Sequence, residues 1–419
     1  MRQSKLFTKT RKEAPTDEVS KNAELLIRGG FIHKEMAGVY SYLPLGLRTL
    51  KKIENIIREE MNEIGAEELI MTALQKQEVW EKVGRWDDEV VDIWFKTKLK
   101  DDTILGLGFT HDEQLVNLLT EYINSYKDLP LYLYQIQTKF RNELRSKSGI
   151  MRGREFLMKD MYSFTKNQED LDTFYEGVKK AYMKVFTRCG IGHRTYVTFA
   201  SGGTFSQYSH EFQTISEAGE DTIYVEESKN IALNEEIMTD EVLAELGVEK
   251  SDLVAKKSIE VGNIFKQSTK FTDPFNLYYQ DENGEKKSIY MGGYGIGVTR
   301  LMGTIVEVLS DDKGIIWPES VAPFAVHLLA LGADEAVNIE ANKVYETLTN
   351  NNIEVLFDDR EGLSAGEKFA DSDLLGIPMR VVVSARSLKE NGVEIKKRTE
   401  EKGSVVSVDE LLKLLVSSS

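Results

Sequence analysis

The chain has 419 residues, enough at ~150 residues per domain for two or three domains with cores of their own. Apolar residues make up 41% and charged residues 29%, a globular balance without the run of ~18 apolar residues that a membrane-spanning helix needs. Its 53 basic and 69 acidic residues leave a net charge of −16, which argues against general affinity for nucleic acid because phosphates repel it. Cys189 is the single cysteine, so an intrachain disulfide and a zinc site with several sulfur ligands are both excluded. The five histidines are scattered without the spacing of a metal pair, and no protein-held metal is expected.

Arg2, Lys5, Lys9, Arg11 and Lys12 with Ser4, Thr8 and Thr10 have a faint transit-peptide composition, but the apolar core of a secretory signal is missing. Read as the basic start of a folded domain, they leave a cytoplasmic location as the expectation. Apolar spacing predicts helices over 19–29 and 45–64, the second carrying Leu47, Leu50, Ile53, Ile56, Ile57, Met61 and Ile64 and stopping at Gly65. Leu69–Met71 reads as a short strand and 112–127 as a helix. Leu131–Phe140 and Phe156–Phe164 read as strands joined by the polar loop Asn142–Glu155, and 168–189 as an amphipathic helix. Residues 220–260 hold 12 Asp and Glu against four Lys, and read as an acidic surface excursion between two halves of one domain. A helical piece lies around Glu235–Leu246. Strands follow at Ile259–Phe265 and Ser288–Met291, then a helix from Ile296 to Leu309.

Pro318 and Pro323 bracket a boundary. Beyond it strands Val326–Leu331, Glu354–Phe357 and Arg380–Val383 alternate with helices 335–350, 364–375 and Val408–Leu415, which predicts a small α/β domain with a mostly parallel sheet. The first 318 residues are α+β instead.

Four stretches carry chemistry. Thr138–Asp160 has seven basic residues (Lys139, Arg141, Arg145, Lys147, Arg152, Arg154, Lys159) against Glu143, Glu155 and Asp160, a local +4 in an acidic chain. Arg141 closes an apolar strand, and a positioned guanidinium can clamp phosphate oxygens with two bonds; a solvated hairpin with surface salt bridges is the alternative. In Met291–Arg300 a strand leads into a glycine-rich turn and a helix leads out. A dinucleotide fingerprint starting from Gly295 and Gly297 would need glycine where Arg300 stands, so that reading fails on spacing. A glycine turn lets a ligand lie against the backbone, and Arg300 supplies a second placed cation; tight helix–sheet packing is the alternative. Thr110 and Asp112 could capture a ligand ammonium, or Thr110 caps a helix with Glu113 closing the capping box. In Ser209–Gln213, His210 either faces a ligand or is a core histidine, and no nucleophile elbow supports a Ser–His hydrolase.

FRNE at 140–143, RGREF at 152–156 and GYGIGVTR at 293–300 resemble the second and third signature motifs of class II aminoacyl-tRNA synthetases. The blocks at 42–61, 125–143, 149–164, 260–265, 314–319 and 369–378 resemble bacterial-type prolyl-tRNA synthetases in order and over nearly the whole chain. The resemblance implies a class II catalytic domain on a mainly antiparallel sheet over 1–318 and an anticodon-binding α/β domain over 319–419. It implies that proline and ATP give prolyl-adenylate and pyrophosphate, and that tRNA(Pro) takes the prolyl group. Arg141 would grip the α-phosphate and Arg300 the γ-phosphate. Glu143 would meet the adenine amino group or an associated Mg²⁺, Phe156 would stack on adenine, and Arg152 would join the triphosphate cluster. Gln213 and Gly295 would help seat ATP. Thr110, Asp112, Arg141, His210 and Gly293 would form the proline pocket, and Asp359, Arg360 and Lys368 would meet tRNA. A homodimer through residues 42–72 is also implied.

The sequence departs from that family at Asp112, where glutamate is usual, at Gly293, where Cys or Ser is usual, at Phe205-Ser206 in place of a Gly-Gly pair, and at Thr72 in place of proline. These changes spare the ATP positions and fall on amino-acid selectivity, where one methylene is worth ~1–3 kcal/mol. Only the short stretch 220–260 stands where bacterial-type members often carry a large editing insertion. A class II ligase for another amino acid and a non-catalytic paralogue are the alternatives; the second is disfavoured because both phosphate arginines are present.

Overall fold

The structure is a computed structural model that describes residues 1–144, 148–201, 208–229, 231–332 and 334–417. The chain divides into two compact units, one formed by Glu35–Tyr40 with Ile53–Thr304, the other by Met1–Lys34, Ser41–Lys52 and Ile305–Ser419.

The first unit is built on a nine-stranded sheet: β1 (Glu67–Glu68), β2 (Leu131–Phe140), β3 (Glu155–Thr165), β4 (Thr195–Ser201), β5 (Tyr208–Ile215), β6 (Asp221–Glu226), β7 (Ile231–Asn234), β8 (Val254–Ser268) and β9 (Tyr290–Gly297). Their spatial order is β5-β4-β7-β6-β8-β9-β3-β2-β1, with β5 also pairing β8. Neighbours run antiparallel except β1 on β2 and β7 on β4. The sheet is thus mainly antiparallel. Helix α1 (Gln168–Arg188) begins at Asn167, whose side chain accepts from the Asp170 amide. It buries Leu171, Phe174, Tyr175, Val178, Tyr182, Val185 and Phe186 against β3, β8 and β9. Each such side chain contributes about 1.5–3 kcal/mol on burial, well above any difference in helix propensity, so the apolar stripe decides where this helix lies.

Residues 220–260 differ from the sequence reading. β6 and β7 insert into the sheet with Ile223, Val225 and Ala232 buried, and a helix at Asp240–Leu246 closes a small core of Leu233, Ile237, Leu243 and Val248. The many acidic residues between these short apolar runs masked the alternation. The helix expected over 112–127 ends at Leu119, and the strand expected at Leu69–Met71 pairs instead at Glu67–Glu68. A three-stranded sheet, Leu74–Lys76, Phe95–Lys98 and Ile104–Leu107, lies over Trp80, Val91, Trp94 and Phe109. Gly106 is required there, because a Cβ would lie 2.4 Å from the Trp94 ring.

In the second unit, β10 (Val326–Leu331) is flanked in parallel by β11 (Val355–Asp358) and β12 (Met379–Ser384). Val393–Lys397 and Ser404–Val406 then add antiparallel strands at one edge, so only half of the sheet has the expected parallel character. The first residues of the chain join this unit. The Met1 ammonium donates to the Val355 carbonyl at 2.6 Å, and the Phe357 amide donates to the Met1 carbonyl at 2.8 Å.

Candidate active site

A cleft of about 370 Å³ is lined by residues from β3, β8, β9 and the segments at 110–112, 141–143 and 150–153. That volume lies within the ~300–1,000 Å³ usual for small-molecule sites.

Arg141 leaves the end of β2 with its backbone pinned. The Phe140 amide donates to the Gly108 carbonyl at 3.1 Å and the Arg141 amide to the Arg154 carbonyl at 2.9 Å. The Arg141 guanidinium sits 5.3 Å from the centre of the Phe156 ring and, among the described residues, makes only long hydrogen bonds, 3.4 Å, to the Phe109 carbonyl. Desolvation, and then the like charge of Arg300, pull its pKa down, yet arginine remains a cation. Glu143 accepts two bonds from Arg152 on one carboxylate oxygen, at 3.1 and 2.9 Å, and Arg152 also reaches Glu220 at 2.6 Å.

Arg300 stands in the first turn of α2 (Val298–Val308). Its Nε donates to the Met151 carbonyl at 2.7 Å, and its Nη1 to the Glu260 carbonyl at 3.0 Å and carboxylate at 3.2 Å. Beside it, a Cβ on Gly295 would meet nothing closer than 3.8 Å, so the β9 backbone is open to a flat ligand at that point.

A second group of side chains lines the same cleft. Thr110 Oγ1 donates to one Asp112 oxygen, and Gln267 Nε2 donates to the other at 2.6 Å. Below them is a buried charged network. Lys139 Nζ lies 2.6 Å from His111 Nδ1 and 2.8 Å from Asp160. Asp160 accepts from the Tyr162 hydroxyl at 2.7 Å and from Gln135 at 3.0 Å. Because an ammonium only donates, His111 carries its proton on Nε2, which donates to the Thr72 carbonyl at 3.1 Å. Burial, then Lys139, push the His111 pKa down to about 4.

The structure corrects two sequence expectations here. Thr110 does not cap the following helix: the N-cap is His111, and Glu113 pairs with Arg85 in the interior rather than closing a capping box. His210 does not line the cleft. Strand alternation turns it to the other sheet face, where it bonds the Tyr175 hydroxyl at 2.7 Å and packs on Phe199. Its neighbour Glu211 faces the cleft instead. Gln213 is buried behind Glu211, donating to it at 2.9 Å and to Asp221 at 3.0 Å. Arg141, Glu143, Arg152, Phe156, Gly293, Gly295, Arg300, Thr110 and Asp112 all line the cleft, joined by Glu211, Glu260, Asn263 and Gln267, which sequence reasoning missed. The last three lie on β8, which was read as only the seven residues Ile259–Phe265 and extends over Val254–Ser268. Phe205 and Ser206 lie outside the described residues.

Asp359, Arg360 and Lys368 are elsewhere, in the second unit. Asp359 accepts from the Ser4 amide and hydroxyl, both at 2.9 Å. Arg360 bridges Asp358 and Asp371, and Lys368 is buried with its ammonium on the carbonyls of Ala330 and Asp358 at 2.9 and 3.2 Å.

Family models match twice: the tRNA synthetase class II core domain (G, H, P, S and T) over residues 94–309, and an anticodon binding domain over 321–418. A proline–tRNA ligase of Wolbachia sp. subsp. Brugia malayi is 41% identical, the alignment covering 98% of this chain and 99% of the relative. One from Rickettsia africae is 39% identical over 97% and 99%. Among solved structures, a Giardia lamblia prolyl-tRNA synthetase in complex with prolyl-adenylate is similar with a TM-score of 0.77 at 17% identity, over 94% of this chain and 77% of that one. A Cryptosporidium parvum prolyl-tRNA synthetase complexed with halofuginone and AMPPNP gives 0.77 at 15%, over 94% and 76%.

Proposed function

The chain belongs to the class II aminoacyl-tRNA synthetases, in the proline–tRNA ligase family, and from that premise we propose how its residues divide the reaction. It is a ligase that activates proline with ATP and transfers it to tRNA. A proline carboxylate oxygen attacks the α-phosphorus, the bond to the bridging oxygen breaks, and pyrophosphate leaves. A hydroxyl at the 3′ end of tRNA(Pro) then attacks the prolyl carbonyl and AMP leaves.

Charge builds on the α-phosphate oxygens in the first step, and Arg141 is our choice to meet it: among the described residues its guanidinium has only long, weak hydrogen bonds. Arg300 holds the far end of the triphosphate so that attack is in line. Adenine lies on Phe156, with Glu143 at its amino group and Gly295 leaving room for it. Arg152 moves from Glu143 or Glu220 to phosphate. Thr110 and Asp112 take the proline ammonium, beside Gly293. Glu211 and Glu260, both lining the cleft and both accepting from Asn263 Nδ2 at 3.3 and 3.0 Å, are suited to hold a Mg²⁺ that accompanies ATP. Such an ion neutralises phosphate charge. Gln213 fixes Glu211 rather than meeting ATP.

We assign 1–318 to catalysis and 319–419 to the anticodon, with contact at the rim formed by Asp359 and Arg360. Lys368 acts there by holding strand ends together, because its ammonium is spent on two carbonyls. A homodimer through 42–72 and a cytoplasmic location complete the proposal; among the described residues no helix is long and apolar enough to cross a membrane.

The observation that carries this reading is the pair Arg141 and Arg300 facing the same cleft as the Thr110–Asp112 acceptor group. A panel of amino acids in ATP–pyrophosphate exchange tests it. Proline is expected to support exchange above all others, and a preference for another amino acid would move the assignment to a sister ligase.

A further inference from the structure

Gln267 occupies an irregular point of β8. Lys266 pairs with Gly292 and Ser268 with Met291, so Gln267 is an extra residue with no partner on β9, and Ser268 follows with φ +50°. Such a bulge re-aims a side chain. Here the side chain is 3% exposed and lines the cleft. Its contact with Asp112 settles the orientation of the amide. A carboxylate only accepts, so the group 2.6 Å from Asp112 is the NH₂, and Oε1 is turned the other way. Among the described residues that oxygen is buried with no hydrogen-bond partner, an arrangement that is unfavourable until something donates to it.

Gly293 makes the arrangement possible. A Cβ at that position would lie 2.9 Å from Gln267 Nε2 and 3.1 Å from its Cδ and Oε1. Gln267 and any side chain at 293 therefore compete for one space.

We propose that Gln267 is a specificity-determining residue of the amino-acid pocket: its Oε1 accepts one N–H of the substrate ammonium while its Nε2 sets Asp112, which with Thr110 accepts the other. Two acceptor groups match the two N–H donors of a secondary, ring-held ammonium. This rests on the proline reading above.

The test is exchange kinetics on the full-length protein. Gln267→Leu is expected to raise the KM for proline about tenfold or more, with the KM for ATP within about twofold. The proline analogue (S)-tetrahydrofuran-2-carboxylate, whose ring oxygen donates no hydrogen bond, is used as a competitor of proline and is expected to have the same Ki in the variant. A role limited to propping Asp112 would leave Gln267→Leu without further effect on the proline KM in an Asp112→Ala background, and that result overturns the proposal, as does a weakening of both ligands together, the mark of a deformed pocket. Gly293→Cys should reproduce the proline effect by displacing Gln267, and the double variant should be no worse than either single one; multiplied effects also overturn it. Absence of proline-dependent exchange in the unaltered protein removes the underlying reading and this inference with it, whereas normal proline exchange with a silent Gln267→Leu removes the inference alone.

Discussion

Arg141 owes its position to backbone bonds on both sides and its usefulness to the weakness of its own side-chain contacts. Replacing it with alanine removes the cation that we assign to the developing phosphate charge, and losses of about 10²–10³ in rate are typical for such a group. Arg141→Ala should lower proline-dependent exchange by that factor; a near-normal rate would refute its phosphate role. Lys139 and Lys159 make the opposite point. Both were counted in the +4 of the loop region, yet both are fully buried, Lys139 on Asp160 and Lys159 on the Tyr294 carbonyl. A charge count cannot distinguish a cation offered to a ligand from one neutralised inside. Lys139→Met strands the Asp160 carboxylate in the interior, and breaking such a pair typically costs about 3–5 kcal/mol. Urea unfolding should show a loss of that size, largely recovered when Asp160→Asn is added.

At the scale of elements, strands and helices with a strong periodic face were legible. Leu131–Phe140, Val326–Leu331 and Glu335–Asn350 have the limits that their patterns predict. The direction of side chains was less legible. His210 stood out as the imidazole of its stretch, but alternation on β5 presents Glu211 to the cleft, because adjacent residues of a strand face opposite ways. The polar face of β8 was hidden for a related reason: bulges against β5 and β9 break its period. In the α/β unit, Arg360 follows β11 and ties Asp358 to Asp371. Arg360→Lys keeps a cation and loses the planar fork. It should raise the tRNA KM of charging several-fold, and by far more than it alters exchange, when both are measured on the same preparation.

At the scale of the whole molecule, acidity and histidine burial govern behaviour with pH. Burial holds His111 and His210 down at about 4 and His327 at about 3, below the ordinary 6.5. The unfolded chain therefore binds protons first as pH falls, and the folded state loses stability from about pH 6.5 down through about 4. Thermal melts between pH 7.5 and 4.5 should fall monotonically over that window, and melts that rise toward acid would contradict it. The excursion at 220–260 gives two strands to the main sheet and buries a core of its own, leaving little chain for a separate hydrolytic pocket. The pure protein is accordingly expected not to hydrolyse alanyl-tRNA; measurable clearance of that substrate would place editing within this chain.

The sequence by itself determined the family, the two-part organisation of motifs and the arginines to which we assign the phosphates, because motif residues are local in the chain and their types state their chemistry. Only the tertiary structure decided which face His210 takes, that Lys139 and Lys159 are interior charges, and that Gln267 and Gly293 share one space beside Asp112. Those facts depend on register and on contacts between residues far apart in sequence: 155 positions separate Asp112 from Gln267. The net charge of −16 is the clearest case. It describes the whole surface, whereas recognition of a nucleotide depends on a few cations whose neighbours leave them unneutralised.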